Sequence, residues 1–135
     1  MSTEENKALI VRIIDELKKG NLGIVDEAFS PHFAFHWPND PDFPRGLEGA
    51  RKMVTLSAAT VPDMQATIED IIGEGDKVAV RWTFRGTYQG EAKPGYPRPG
   101  ERFSVVAISM YRFANGKIED DWGVEQFWPR EPPWE

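Results

Sequence analysis

The sequence predicts an α+β domain, and three observations carry that expectation. Apolar residues recur at helical spacing as far as Thr60, strand-like alternation takes over from Met64, and Gly-Asp and Asn-Gly turn signals join the extended runs in pairs. Helices followed by a strand meander define the class. At 135 residues the chain has the size of one domain, taken as 1–135, able to bury a sizeable core.

Ser2 stands at capping-box spacing from Glu5, and Leu9, Ile10, Ile13, Ile14 and Leu17 then mark one face of an amphipathic helix. Gly20 suits its C-terminus. Asn21 can cap a second, short helix whose buried side is Leu22, Val25, Ala28 and Phe29. Pro31 blocks continuation, so Phe33 to Trp37 is expected as a short aromatic strand, closed by the Pro38, Pro41 and Pro44 loop. Ala50, Met53, Val54, Leu56 and Ser57 trace a third helix from about Leu47 to Thr60, ended by Pro62.

Met64 to Gly73 and Lys77 to Tyr88 read as a hairpin, with Val78, Val80, Trp82 and Phe84 alternating against Ala79, Arg81, Thr83 and Arg85. Gly90, Pro94, Gly95, Pro97, Pro99 and Gly100 make 89–100 a long mobile loop between strands. Phe103 to Phe113 and Lys117 to Phe127 pair through Asn115-Gly116, which completes a four-strand antiparallel meander. Residues 128–135 form an irregular, proline-rich tail whose tryptophans, Trp128 and Trp134, can close a pocket mouth or fasten a partner subunit; a disordered overhang is the alternative.

The last hairpin can close in two ways. A two-residue turn pairs Ala114 with Lys117 and sets Met110 beside Asp121 and Ser109 beside Trp122, which mixes apolar and acidic residues on both faces. A three-residue turn with a left-handed Gly116 pairs Phe113 with Lys117 and sets Val106, Ile108 and Met110 across from Val124, Trp122 and Asp120, a mostly apolar face. That segregation favours the second. The opposite face then carries Val105, Ala107, Ser109 and Tyr111 across from Glu125, Gly123, Asp121 and Glu119. Small side chains among carboxylates on the concave side of a curved sheet suggest a ligand cavity.

Several function classes are excluded. A net charge of -6 leaves no basic footprint, so neither nucleic acid nor an acidic membrane surface is an expected partner. Zero cysteines exclude disulfides and thiolate chemistry and suit a reducing compartment. The polar, acidic N-terminus does not look like a signal peptide and no run reaches membrane-spanning length, so a soluble, cytoplasmic protein is expected. Two histidines without chelating spacing make no metal centre, no Gly-x-Gly-x-x-Gly opens a helix, and Ser104 and Ser109 lack the partners of a hydrolase triad.

The ordered motifs resemble the SnoaL-like polyketide cyclases of the nuclear-transport-factor and ketosteroid-isomerase-like superfamily. Glu5-Asn6-Lys7, Gly20-Asn21-Leu22 before Val25-Asp26-Glu27, Ser30-Pro31-His32-Phe33, Gly46 with Gly49 and Val61-Pro62-Asp63 carry the likeness in the first half. Glu74-Gly75-Asp76-Lys77-Val78, Arg81-Trp82, Gly86-Thr87, Gly95-Tyr96-Pro97 with Gly100, and Asn115-Gly116-Lys117-Ile118 leading to Trp122 carry it in the second. The resemblance implies a cone-shaped, curved antiparallel sheet, a cystatin-like α+β barrel, closed by three N-terminal helices around an apolar pocket. It also implies a homodimer formed through the sheet, no cofactor and no metal, and a pocket Asp that acts as acid and base in an intramolecular aldol ring closure.

Carried over by position, the cyclase Asp falls on Gly123, its His partner on Ser109, and the polar residue of the first strand near Trp37. Asp121 and Glu125, two residues either side of Gly123, are therefore candidate catalytic acids and bases; the alternative is a solvated strand end. His36, on the strand that borders the pocket in the family, is the third candidate, against a hydrogen-bonded strand-end histidine. His32, beside Pro31, reads as local capping. Trp37, Ala107, Ser109, Tyr111 and Gly123 are the expected pocket lining, and the aromatic walls suit a flat, hydrophobic carbonyl compound. Two functions follow: a cofactor-independent cyclase or isomerase, or a non-catalytic ligand-binding or dimeric module that has lost the family's acid.

Overall fold

The computed structural model describes residues 2–38 and 40–128. α1 (Thr3–Lys19) opens on a full capping box: the Glu5 N–H donates to Ser2 Oγ at 3.1 Å and the Ser2 N–H to Glu5 Oε1 at 3.0 Å. Gly20, at φ +64°, ends it in the left-handed conformation and donates back to the last turn. Ile10, Ile13, Ile14 and Leu17 are its buried face. Each such side chain contributes about 1.5–3 kcal/mol when fully withdrawn from water.

α2 (Gly23–Ala28) follows, with Asn21 Oδ1 accepting the Gly23 N–H at 3.0 Å. β1 (Phe29–His36) starts earlier than the sequence suggests and contains Pro31. It is an edge strand, so the N–H that proline lacks is not needed by a second neighbour, and its register shifts between Phe29 and Ala34. Trp37 lies just beyond its end. α3 (Gly46–Thr60) packs on β1, and α1 packs on β2.

β2 (Gln65–Glu74), β3 (Lys77–Thr87), β4 (Arg102–Ala114) and β5 (Lys117–Trp128) form the antiparallel meander. The sheet order is β1-β5-β4-β3-β2, with β1 parallel to β5. The antiparallel expectation is thus corrected to a mixed, five-stranded sheet, curved but not closed into a barrel. The helices cover one face and the core lies between. The loop after β3 is held at its base by Tyr88 N–H to Glu101 O and Gly100 N–H to Tyr88 O. Trp128 belongs to β5, opposite Ser104, rather than to a tail; residues 129–135, Trp134 among them, lie outside the described part. Among the described residues no helix is long and apolar enough to cross a membrane.

The β4–β5 hairpin differs from both simple closures. Asn115 (φ +53°) and Gly116 (φ +75°) make a two-residue turn with Ala114 opposite Lys117. The pairing then shifts between Phe113↔Ile118 and Arg112↔Asp120, which leaves Glu119 as an extra, bulged residue. Its carboxylate is fixed by the Ser30 hydroxyl at 3.0 Å and lies 3.7 Å from the Arg112 guanidinium. The bulge reverses the facing that the turn alone would impose. Val105, Ala107, Ser109 and Tyr111 share the helix-facing side with Asp121, Gly123 and Glu125, as expected, but the partners move along by one pair: Ser109 stands opposite Gly123 rather than Asp121.

Candidate functional site

Three cross-strand pairs build the site: Tyr111↔Asp121, Ser109↔Gly123 and Ala107↔Glu125. β1 adds Phe35 beside Asp121 from the other side. Asp121 is 4% exposed, and its Oδ1 has no hydrogen-bond partner. A Cβ added to Gly123 would stand 3.5 Å from Ser109 Oγ, 3.6 Å from the Phe35 ring and 3.7 Å from that Asp121 oxygen. The unpartnered oxygen therefore points along the strand, into the space that glycine leaves.

Burial, with the like charge of Glu125 second, pushes the Asp121 carboxyl up to about 8. Glu125 is raised as well by burial, against the Trp37 indole, whose N–H donates to it and favours the charged form. The Tyr111 phenol is held well above its ordinary value, first by burial and then by Asp121, with a Ser109 hydrogen bond opposing. Trp82 Nε1 lies 3.5 Å from Ser109 Oγ. Phe35 stacks on Trp37 at 5.6 Å, and Phe43 meets both rings edge-on. Glu125 also lines an open cleft of about 400 Å³ with Pro94, Gly95, Tyr96, Gln126 and Phe127.

The helix-facing side of the sheet thus carries a buried carboxyl, raised by that burial, and further along the same strand a second carboxyl that reaches an open cleft, with Phe35, Trp37 and Trp82 nearby. Such a pair can give and take protons beside a bound carbonyl. Among the described residues no group of three or more His, Cys, Asp or Glu is placed to hold a metal ion.

His36 is not part of this arrangement. It pairs with Trp122 on the outer face of the sheet, where its ring stacks at 5.1 Å and its Nε2 lies 2.8 Å from Asp120 Oδ1. Arg112 Nε donates to the other Asp120 oxygen at 2.8 Å. The physical reason is strand alternation: once Phe33 and Phe35 face the helices, His36 must face away. The structure brings together Asp121, Glu125, Trp37, Ala107, Ser109, Tyr111 and Gly123; to these it adds Phe35 and Trp82. The i, i+2 aromatic run Phe33, Phe35, Trp37 was the signal that separates Phe35 from His36. Trp82 lies opposite Ala107 across β3 and β4.

A family model described as SnoaL-like polyketide cyclase matches residues 8–130. The chain belongs to the SnoaL-like polyketide cyclase family. Among solved structures it is similar to TsrD from Streptomyces laurentii, at 30% identity over 93% of this chain and 90% of that one, with a TM-score of 0.79. It is similar to IdmH from Streptomyces antibioticus, provisionally assigned as a polyketide cyclase, at 30% identity over 87% and 89% of the two chains, with a TM-score of 0.71. AclR from Streptomyces galilaeus, provisionally assigned as a hydroxylase, gives 27% identity over 95% and 83%, with a TM-score of 0.75. No curated protein matches. The SnoaL-like relatives thus bear different activity assignments on one fold, and activity must be argued from the side chains.

Proposed function

We propose that this SnoaL-like protein binds a small, hydrophobic, polyketide-like carbonyl compound on the helix-facing side of its sheet and acts on it as a cofactor-independent cyclase or isomerase. The observation that carries this reading is the buried Asp121 carboxyl, its Oδ1 unpartnered and directed at the space over Gly123. A buried polar atom without a partner costs stability, and a ligand that supplies the partner repays that cost. Phe35, Trp37 and Trp82 offer flat apolar walls, while Asp121 and Glu125 supply proton transfer next to the carbonyl. Asp121→Asn and Glu125→Gln, assayed on a compound shown to bind and to be converted, should each lower turnover about a hundredfold or more with little change in affinity. Unchanged turnover in both variants rejects the chemistry.

The glycine at the position of the family's Asp favours a second reading, a ligand-binding module without catalysis. Tight binding of aromatic ketones with no conversion by the unaltered protein is its expected signature.

We also infer a homodimer through the outer sheet face. Ile108 pairs with Val124 and Met110 with Trp122, and these side chains are 52%, 59%, 43% and 39% exposed, an apolar patch of the kind that associates. Trp122→Glu should convert a dimer to a monomer in sedimentation velocity; a monomeric unaltered protein rejects the dimer.

A further inference from the structure

The end of the sheet away from Glu125 is built from two hairpin tips, Gly75-Asp76 between β2 and β3 and Asn115-Gly116 between β4 and β5. The Phe113 N–H donates to the Asp76 carbonyl oxygen at 2.8 Å, which ties the tips together. The first turn of α1 joins them, with the Thr3 hydroxyl donating to the Gly75 carbonyl oxygen at 3.1 Å. Where these three segments meet lies an open cleft of about 350 Å³ lined by Asn6, Gly75, Asp76, Phe113, Asn115 and Gly116. A Cβ added to Gly75 would meet nothing within 4 Å, so this side of the cleft is roomy.

Asn6 is the unusual member of this lining. It is 3% exposed, and among the described residues nothing donates to its Oδ1. A buried amide oxygen without a donor costs stability that an apolar side chain at the same position would not, and a ligand N–H restores the loss. The Asp76 carboxylate is a second acceptor at the cleft. It is more than half exposed and meets Lys77 Nζ at 3.3 Å, an exposed pair that yields at little cost. Glu4 and Glu5 in the first turn of α1 offset the positive end of its dipole, and the buried Phe113 supplies an apolar side.

We propose that this cleft is a second binding site, for a small organic cation whose head carries N–H donors: a primary ammonium on a short apolar body. One N–H meets Asn6 Oδ1, the Asp76 carboxylate balances the charge, and the body lies against Phe113. An anion is excluded, because its lone pairs would face the amide oxygen and the carboxylate. A cation without N–H groups satisfies Asp76 but leaves the Asn6 oxygen bare, so recognition depends on hydrogen bonding as well as charge. The volume lies near the lower limit of about 300 Å³ for small-molecule sites, which suits a small amine. The site shares no residue with Asp121, Gly123 or Glu125 and stands independently of the carbonyl reading.

The test titrates benzylammonium chloride into the full-length, nitrogen-15-labelled protein at constant ionic strength and follows the amide signals by NMR. Benzyltrimethylammonium chloride, of equal charge but without N–H groups, is the comparison. Benzylammonium should give saturable shifts at Gly75, Asp76, Asn115, Gly116 and the Asn6 side-chain amide, and the quaternary ion should bind about tenfold more weakly or worse. Asn6→Leu should weaken benzylammonium by about tenfold or more. Asp76→Asn, a change at an exposed turn that leaves the backbone bond to Phe113 in place, should weaken it severalfold and flatten its salt dependence, and it reads the site even if the Asn6 variant does not fold. The absence of saturable shifts, shifts centred on the cleft at Glu125, equal binding of the two ions, or undiminished affinity in either folded variant overturns the proposal.

Discussion

Asp120 and Asp121 are consecutive on β5, yet they occupy opposite faces of the sheet and titrate in opposite directions. For Asp120, burial would raise the carboxyl, but bonds from His36 and Arg112 outweigh it and hold the group below its ordinary value. Asp121, buried beside Tyr111 and Phe35, is pushed up to about 8. One residue of strand, with its alternation of faces, separates an ion-paired carboxylate from a neutral acid.

Asp121 makes the folded protein lose stability as pH rises. The unfolded chain releases this proton near 3.8 and the folded chain only near 8, so between those values the unfolded state carries fewer protons and is favoured as pH increases. Asp121→Asn removes the penalty. Its melting temperature should match that of the unaltered protein near pH 4 and exceed it by a growing margin up to pH 8. A constant offset across that range would contradict a buried neutral carboxyl.

Asp120 carries the opposite sign. Its folded value lies below 3.8, so its contribution is present above the unfolded value and vanishes as pH falls through the folded one. Asp120→Asn should cost about 1–3 kcal/mol near neutrality in urea unfolding, and the gap to the unaltered protein should close in acid. A gap that persists at pH 2 would mean that the loss comes from packing.

Gly123 can be filled. A Cβ there meets its nearest neighbours at 3.5 to 3.7 Å, ordinary contact distances. Gly123→Ala should therefore change stability by no more than about 1 kcal/mol while occupying the space beside the Asp121 oxygen. Affinity for the aromatic ketones proposed above should drop by about tenfold, a loss of about 1.4 kcal/mol. Undiminished affinity would place the ligand elsewhere.

Gly49 cannot be filled. A Cβ on it would lie 1.9 Å from the Pro44 carbonyl oxygen, so α3 depends on a backbone approach that only glycine allows. Gly49→Ala should cost about 2–4 kcal/mol, read as a fall in the urea midpoint. An unchanged midpoint would show that the 40–45 segment yields freely.

Much of this fold is legible in the chain. The Ser2–Glu5 box and Gly20 delimit α1 because caps are local chemistry, and the segregation of apolar from small and acidic residues gives the correct facing of β4 and β5. The cross-strand partners were not legible. Asn115-Gly116 specifies a two-residue turn and the hydrophobic pattern specifies the other facing; both are satisfied only through the bulge at Glu119, whose anchors Ser30 and Arg112 are distant in sequence or across the hairpin. The parallel placement of β1 escapes for the same reason, since no local signal links Phe29–His36 to a strand ninety residues on in rough terms. That link is what sends His36 outward and leaves Asp121 and Glu125 as the carboxyls on the helix-facing side.

The extra residue at Glu119 also constrains how the hairpin can change in length. Removing a single residue between Arg112 and Asp121 would exchange the faces of β5, presenting Trp122 to the helices and the Asp121 carboxyl to water, whereas an even-numbered insertion at the turn tip would leave both where they are. Variation in this part of the chain is therefore restricted to paired steps, since an odd change would carry both proposed acids to the other face without substituting either of them.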